Sequence, residues 1–502
     1  MSKQNGGIIG PDNVTTGGFN GVASGVFKLG EVTKLIRESK WPEPSPFTNT
    51  VPNSVRLDGS ADYFNRTMNG TEVTNSEKKV TYSGWIKKSE ISSDGMLIEG
   101  WYNSSNYTQF YYQSTGALTI NQAATASGST YQINTNRLLR DPSAWYHIML
   151  VIDTTQGTAS NRVKLYINGV QETSFASAAY PNQNSSHQLN RNGNVTFIGR
   201  RNSGDVGLYV NGYMANIECT DAQALTPSYF GSTNSDSGIW TPVPADTISS
   251  YGNNGLKLAF ANAGALGTDT SGEGNNFTAN SITSIDQTTD SPSNNFATLN
   301  PLDNFYANAT FSKGNTQIVT GSGREASSSS TIYLTQGKWY WETKFLSSSA
   351  PFVGIQPIPS FGNSASAAVL QLHGLGLLKT GKVETTNGSG GSVVLASYAT
   401  YTTNDIIGVA LDLDANKIYF YKNGSILGAS GVSVTAPAST RDGHYMVAVG
   451  AIAGQDTISV NFGNPSFAIS SGNTDSSGFG NFEYAVPTGY LSICTNNLNL
   501  LG

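Results

Sequence analysis

The sequence predicts an all-β protein: two tandem β-sandwiches behind a short N-terminal segment that carries one helix. Three observations predict it. The first is one pattern written twice. In His147–Val170, Ile148, Leu150 and Ile152 alternate, a polar loop comes next, and Val163, Leu165 and Ile167 alternate into Asn168-Gly169. In Asp405–Leu427, Ile407, Val409, Leu411 and Leu413 alternate, Asp414-Ala415-Asn416 turns the chain, and Ile418 and Phe420 lead to Asn423-Gly424. Period-two alternation marks strands with one buried face, and Asn-Gly is the strongest short hairpin signal. The second is composition. Charged residues make up 12% and aromatics 10%, with 55 glycines among 502 residues. An average soluble protein carries roughly 25% charge, and disorder needs high charge with few aromatics. The third is a succession of short alternating runs separated by turn residues, the spacing of sandwiches.

The remaining bounds are broad. This length suggests about two to four domains. A net charge of −6 argues against a nucleic-acid partner, which wants a basic stripe. Cys219 and Cys494 fall at the ends of different predicted domains, so two buried free thiols are expected rather than a disulfide. No run approaches the ~18 apolar residues of a membrane helix, so no membrane insertion is expected. The start, MSKQNGGIIGPDN, lacks a signal-peptide pattern; synthesis in the cytoplasm without Sec export is the expectation.

Residues 1–50 form the N-terminal segment. Glu31–Lys40 puts Val32, Leu35 and Ile36 on one helical face. Trp41-Pro42 stops it, and Pro44, Pro46 and Pro52 make a stiff linker into the first sandwich. So small a helix must pack on something: its own first domain, or a neighbouring subunit of an assembly. Both readings stay open.

Residues 51–240 read as the first sandwich. Val55-Arg56-Leu57 runs into Asp58-Gly59. Val80–Ile86 alternates, Gly95–Gly100 and Tyr107–Gln113 form a hairpin tipped by Asn103–Asn106, and Trp145–Ile152, Arg162–Ile167, Val195–Gly199 and Tyr213–Cys219 supply further strands. Residues 241–300, rich in Asn, Ser, Thr and Asp with one strand at Leu256–Phe260, read as an extended connector, because so long a loop is unusual inside a compact domain. Residues 301–502 read as the second sandwich. It opens on Gly337–Phe345, continues through the second meander, His444–Ala451 and Ile458–Phe462, and closes on Val486–Ile493.

Those residues carry resemblances. AWYHIMLVID, RVKLYINGV, FIGRR and YMANIEC resemble laminin-G/concanavalin-like jelly rolls over most of 51–240. The tail Asp221–Gly231 with Gly238–Pro242 resembles the closing segment of such domains in structural proteins of tailed phages, marine and cyanobacterial ones above all. Asp269–Thr278 and Asp290–Asp303 resemble phage segments that introduce a second module. GKWYWE, the meander with its Tyr-x-Asn-Gly, Asn461-Phe462-Gly463 and the closing Pro487–Tyr490 fall in the order of SPRY domains, over roughly 301–495. The SPRY resemblance implies variable loops at Gly321–Ser330 and Asn387–Ser392, and partner binding through Ser347–Phe352 and Asn387–Ser392.

The chemistry is sparse. Glycoside hydrolysis needs two carboxylates flanking the bond; laminarinase-like members of the fold present them as Glu-x-Asp-x-Glu, which is missing here. Asp412 and Asp414 stand at strand spacing, but at a polar turn where Asp serves the turn. His147, His187, His373 and His444 form no zinc-hydrolase spacing, and His147 reads as a core-edge residue. The Gly/Ser stretch at Gly321–Gly323 precedes no helix and is no nucleophile elbow. Laminin-G-like modules often bind Ca²⁺ on loops; Asp58, Asp94, Asp153, Asp205 and Asp269 are candidates, with turn capping as the simpler role. For sugars, aromatic faces beside amides are the useful combination. Trp101, Tyr102, Asn103, Asn106 and Tyr107 at one hairpin tip have it, while a Trp101–Tyr107 cross-strand pair would serve the hairpin alone.

The resemblance implies a non-enzymatic tailed-phage virion protein on the particle surface: a fibre, tail or capsid-decorating component. Residues 1–50 would contact other virion proteins, the sandwiches would contact host cell-surface polysaccharide, and fibre analogy implies a homo-oligomer. The alternatives are a structural cement protein without a host ligand and a polysaccharide depolymerase.

Overall fold

The computed structural model describes residues 7–10, 25–28, 51–124, 129–202, 207–234, 237–243, 248–304, 309–321, 326–357, 374–386 and 391–501. The helix expected over 31–40, Asp205, His373 and residues 387–390 lie outside them. Within 1–50, Gly7–Gly10 pairs antiparallel with Gly25–Lys28. The described chain is all-β apart from short helical turns and one helix, with two sandwiches in the expected order. Its one described α-helix, Thr495–Leu501, lies at the far end of the chain and was not expected from the sequence. Among the described residues no helix is long and apolar enough to cross a membrane.

In the first sandwich one sheet runs in the order Val170–Gln171, Val163–Ile167, Tyr146–Asp153, Lys79–Lys88, Asn211–Asp221, Ser54–Asp58 and Gln287–Thr288. Leu256–Leu258 pairs with Asn211–Asp221 from off that path. The facing sheet runs Phe175–Ala178, Tyr131–Leu138, Ala117–Ala124, Asn106–Tyr112, Gly95–Asn103, Val195–Ile198, Tyr63–Thr67 and Thr278–Asn280. Alternate side chains of both, among them Leu57, Phe64, Tyr82, Phe110, Leu150 and Leu165, fill one core. Residues 241–300 are therefore a correction to the extended connector. They fold back and lend three strands to the first sandwich, Leu256–Leu258, Thr278–Asn280 and Gln287–Thr288, because those edges offer unpaired backbone groups.

In the second sandwich Lys338–Phe345 lies between Ile406–Asp412 and Thr457–Asn461. Facing it, Met446–Ala451 lies between Ala326–Ser330 and Pro351–Gln356. Trp339, Trp341, Phe345, Val353, Leu411 and Phe420 pack between the sheets. The Ser-rich stretch expected as a variable loop is corrected here. Ala326–Ser330 is a wholly buried internal strand. Serine is small enough for the interior provided its hydroxyl is bonded: Ser330 Oγ donates to Ile332 O and accepts from Val447 N. Ser347–Phe352 is likewise pinned. Asp456 accepts from Ser349 N and Ala350 N, and Phe352 is buried.

The two meanders match bond for bond. Asn168 and Gly169 have φ of 48° and 76°, and Asn423 and Gly424 have 48° and 79°, so both turns are of the I′ kind that suits strand twist. Asn168 Oδ1 accepts from His147 N at 2.8 Å, and Asn423 Oδ1 accepts from Ile406 N at 2.9 Å. Each turn glycine lies under an aromatic ring from its domain's closing segment, Gly169 under Trp240 and Gly424 under Tyr484. Each closing segment is fastened to the central strand. Thr81 Oγ1 donates to Gln223 O and accepts from Leu225 N. Glu342 accepts from Glu483 N, Tyr484 N and Asn461 Nδ2. Burial of Glu342 outweighs those bonds and pushes its carboxyl up to about 7. Cys219 and Cys494 are buried and free.

A buried polar network joins the sandwiches. Lys87 and Asp290 form an ion pair at 2.9 Å with side chains 1% and 0% exposed. Asp290 also accepts from Trp145 Nε1 at 3.1 Å and Asn464 Nδ2 at 3.4 Å, and Lys87 donates to Asn295 Oδ1 and Phe296 O. Beside it, Tyr213 OH donates to Gly314 O and Asn315 Nδ2 to Ser89 O. Both buried charges are paired, so removing either partner would leave the other uncompensated.

Candidate functional site

The outer face of the sheet containing Gly95–Asn103 carries a run of polar and aromatic side chains. Along its strands Phe110, Tyr112, Leu118, Ile120, Tyr131 and Ile133 turn inward to the core. Alternation sends Tyr107, Gln109, Tyr111, Thr119, Asn121, Gln132 and Asn134 outward. Register then assembles them across strands. One row reads Gln132, Asn121, Gln109, Glu99, Phe197, Asn65 and Thr278, each directly opposite the next. A neighbouring row reads Ala123, Tyr107, Trp101, Val195 and Thr67.

The first row is hydrogen-bonded from Asn121 through Gln109 to Glu99. Gln109 Nε2 donates to Glu99 Oε1 at 3.0 Å and Asn121 Nδ2 to Gln109 Oε1 at 3.3 Å. Thr119 Oγ1 and Gln132 Nε2 both donate to Asn134 Oδ1. Its middle is buried, at Glu99 and Gln109, and its Gln132 end is exposed. At the far end Arg200 stacks 4.0 Å from the Tyr63 ring centroid, and Asn202 N donates to Glu99 Oε2. Glu99 is thus engaged on both oxygens and Gln109 is buried with it, which leaves Asn121, Gln132 and Asn134 with the half-buried Trp101 and Tyr107 as the groups that reach solvent.

The five hairpin-tip residues divide. Trp101 and Tyr107 are cross-strand partners, half-buried on this outer face. Asn103 Oδ1 accepts from Asn106 Nδ2 at 2.9 Å and from Ser105 N at 3.0 Å, so both asparagines shape the turn. Tyr102 is 59% exposed and lies in the register shift between Trp101 and Asn103. Sequence reasoning missed Gln109, Asn121, Gln132 and Asn134. Their signal was a polar residue at every second position between core residues; what it lacked was the register that lines them up.

The carboxylates weighed as calcium ligands work as turn clamps. Asp58 Oδ1 accepts from Ser60 N, Ala61 N and Asp62 N. Burial raises its pKa, but the bonds from Ala61 and Ser60 outweigh that and hold it below the usual range. Asp153 accepts from Thr155 and Gln156 and pairs with Lys79 at 3.7 Å. Asp269 accepts from Lys257 N, Ser271 and Asn275 N, and Asp94 from Ser114 N. Among the described residues no three metal-ligating side chains gather. Asp412 accepts from Ala415 N and pairs with Lys338, and Asp414 accepts from Gly337 N; both build the turn. His147 is buried between the rings of Trp85, Phe230 and Trp240 with Nε2 2.8 Å from Ser83 Oγ. Burial drives its pKa down to about 3.

Comparison with known proteins bears on both halves. Residues 58–229 match the model of the Concanavalin A-like lectin/glucanases superfamily, and residues 320–465 match the SPRY domain model. No curated protein matches the chain. Among solved structures, the SPRY domain of human HERC1 is 15% identical, over 32% of this chain and 96% of that one, at a TM-score of 0.25. A heptameric SAP-like pentraxin from Limulus polyphemus is 18% identical, over 36% and 80%, at 0.27. A putative carbohydrate binding protein from Bacteroides ovatus is 13% identical, over 47% and 59%, at 0.29. These likenesses are distant and carry no functional argument. The chain carries the two matched domains in the order concanavalin-like, then SPRY.

Proposed function

We propose that this protein is a non-enzymatic surface component of a tailed-phage virion that binds host cell-surface polysaccharide through the outer face of its first sandwich. The observation that carries the binding part is the register row of amides beside the Trp101–Tyr107 pair. Aromatic rings pack on the apolar faces of sugars, while amides donate to and accept from hydroxyls. The virion part rests on the resemblance of Asp221–Pro242 and Asp290–Asp303 to phage segments. Residues 1–50 attach the protein to other virion proteins, and a homo-oligomer displays several weak sites together, which multiplies avidity. Purified host surface glycan should block adsorption of virions and bind the isolated protein. If adsorption is indifferent to every glycan of the host surface, the adhesin reading is wrong.

The buried Lys87–Asp290 joint favours a second reading, a cement or decoration protein, since a rigid two-domain block suits a structural role. Locating residues 1–50 in the particle separates the two: a protein enclosed between shell or tail subunits is no adhesin. Release of reducing sugar from host capsule would instead make it a depolymerase.

A further inference from the structure

Where the two sandwiches meet, a cleft of about 300 Å³ opens between the stretch 284–289 and the stretch 465–469, with Asn53 and Asn481 at its sides. It is separate from the outer sheet face. We infer that this junction cleft is a second binding site, and that it takes an uncharged saccharide segment.

Four observations support this. First, the walls are held at a fixed separation. Arg56, 1% exposed, donates from one guanidinium nitrogen to Ile285 O at 2.7 Å and from the other to Pro465 O at 3.1 Å. Ile285 and Pro465 line opposite sides of the cleft, so one buried cation clamps both walls. A preformed site avoids the ordering cost of binding. Second, the volume is at the lower end of ligand pockets, roughly 300–1,000 Å³, and domain junctions are where such pockets concentrate. Third, none of the described side chains lining it is charged. The two cations at its walls are already engaged, Arg56 on Ile285 O and Pro465 O and Lys344 over the Phe467 ring at 5.3 Å from its centroid, and among the described residues no carboxylate lines it. Fourth, the polar groups are unspent. Asn53, Thr289 and Asn481 make no side-chain hydrogen bond within the described residues, while Gln287 is steadied by donating Nε2 to Phe260 O at 2.7 Å. Unspent amides and a hydroxyl, set against the apolar Phe467 and Ile469, match a ligand with hydroxyls on its rim and apolar ring faces.

Ser284 lines this cleft and also a second one, of about 560 Å³, shaped by the stretches 263–268 and 276–284. The two clefts are neighbours across that residue, so a linear oligosaccharide passing over it would reach both, where a single sugar would reach one.

The test is calorimetric titration of the full chain with linear hexasaccharides of glucose, mannose and galactose, and with hexagalacturonic acid as the charged counterpart. A Tyr107→Ala background weakens the sheet face severalfold, so that the cleft dominates the measurement. In that background a neutral hexasaccharide should still bind, and adding Asn53→Ala with Asn481→Ala should weaken it about tenfold or more, with thermal unfolding unchanged. Binding that survives the double change, or that favours hexagalacturonic acid, overturns the proposal. So does the absence of neutral binding in the Tyr107→Ala background; if the unmutated chain then still binds, the sheet-face reading stands and the cleft alone fails.

Discussion

The two sandwiches share a meander, a capped Asn-Gly turn and a fastened closing segment, yet their second sheets present opposite chemistry. In the first sandwich the outward row is Gln132, Asn121, Gln109, Glu99, Phe197, Asn65 and Thr278. In the second, the corresponding sheet's row is Ser329, Ala448, Gly354, Gly376, Glu384 and Val394. Amides and aromatics can hold hydroxyls; glycine and alanine can only let another surface come close. The meander is therefore scaffold, and function divides on the sheet it does not belong to. The first row has the side chains that the proposed glycan recognition needs, whereas the second is mostly small, buried residues.

The joint between them offers the largest effect. Asp290→Ala strands Lys87 in the interior and removes the acceptor of Trp145 and Asn464. Breaking one side of a buried pair costs about 3–5 kcal/mol. Denaturant unfolding should show that loss and split one transition into two as the sandwiches uncouple. A single transition displaced by less than about 1 kcal/mol would show the joint to be incidental.

Acid separates the halves next. His147 and His187 are buried in the first sandwich, and burial lowers their pKa values to about 3 and about 4. An unfolded histidine binds its proton near 6.5, so the unfolded state gains protons first as pH falls. Their stabilisation is whole above pH 6.5 and is lost on acidification from there toward 4, by about 2–3 kcal/mol per histidine at pH 4.5. Glu342 in the second sandwich has the opposite sign. Its folded pKa is raised to about 7, so that half loses stability as pH rises from 4.5 through 7. Stability against pH, measured for His147→Gln and Glu342→Gln, should flatten in opposite directions; two curves parallel to the unmutated protein's would refute the assignment.

Both Asn-Gly turns, the alternating strands and the Trp101–Tyr107 pair were legible in the sequence, because each depends on residues close along the chain. The amide row could be read only strand by strand. The Lys87–Asp290 pair was invisible, since its members lie 203 residues apart and each alone looks like a surface charge. Ala326–Ser330 misled for a different reason. A serine run has loop composition, and only the partners of its hydroxyls make it an interior strand.

The shared turn gives a smaller and closer comparison. A Cβ at Gly169 would stand 2.3 Å from the Trp240 ring, and one at Gly424 2.7 Å from the Tyr484 ring. Alanine at either incurs the left-handed penalty of about 1–2 kcal/mol, and Gly169→Ala should cost more because the indole sits closer and is hemmed in by Trp85 and Trp145. Equal losses would mean that the caps yield freely and the φ penalty alone matters.

The smallest effect bears most directly on function. Tyr107→Ala removes one ring of the cross-strand pair, worth about 0.5–1 kcal/mol to the hairpin, and it removes a ring face from the proposed glycan surface. Tyr102→Ala removes a more exposed ring from the register shift near the tip of the same hairpin. Exposure alone would make Tyr102 the better sugar contact. Placement argues the reverse, since only Tyr107 stands beside Trp101 and the amide row. Glycan affinity should therefore drop severalfold in Tyr107→Ala and hold in Tyr102→Ala, with both variants folded by circular dichroism. If Tyr102→Ala is the one that weakens binding, recognition sits at the hairpin tip and the outer face is only a well-bonded sheet.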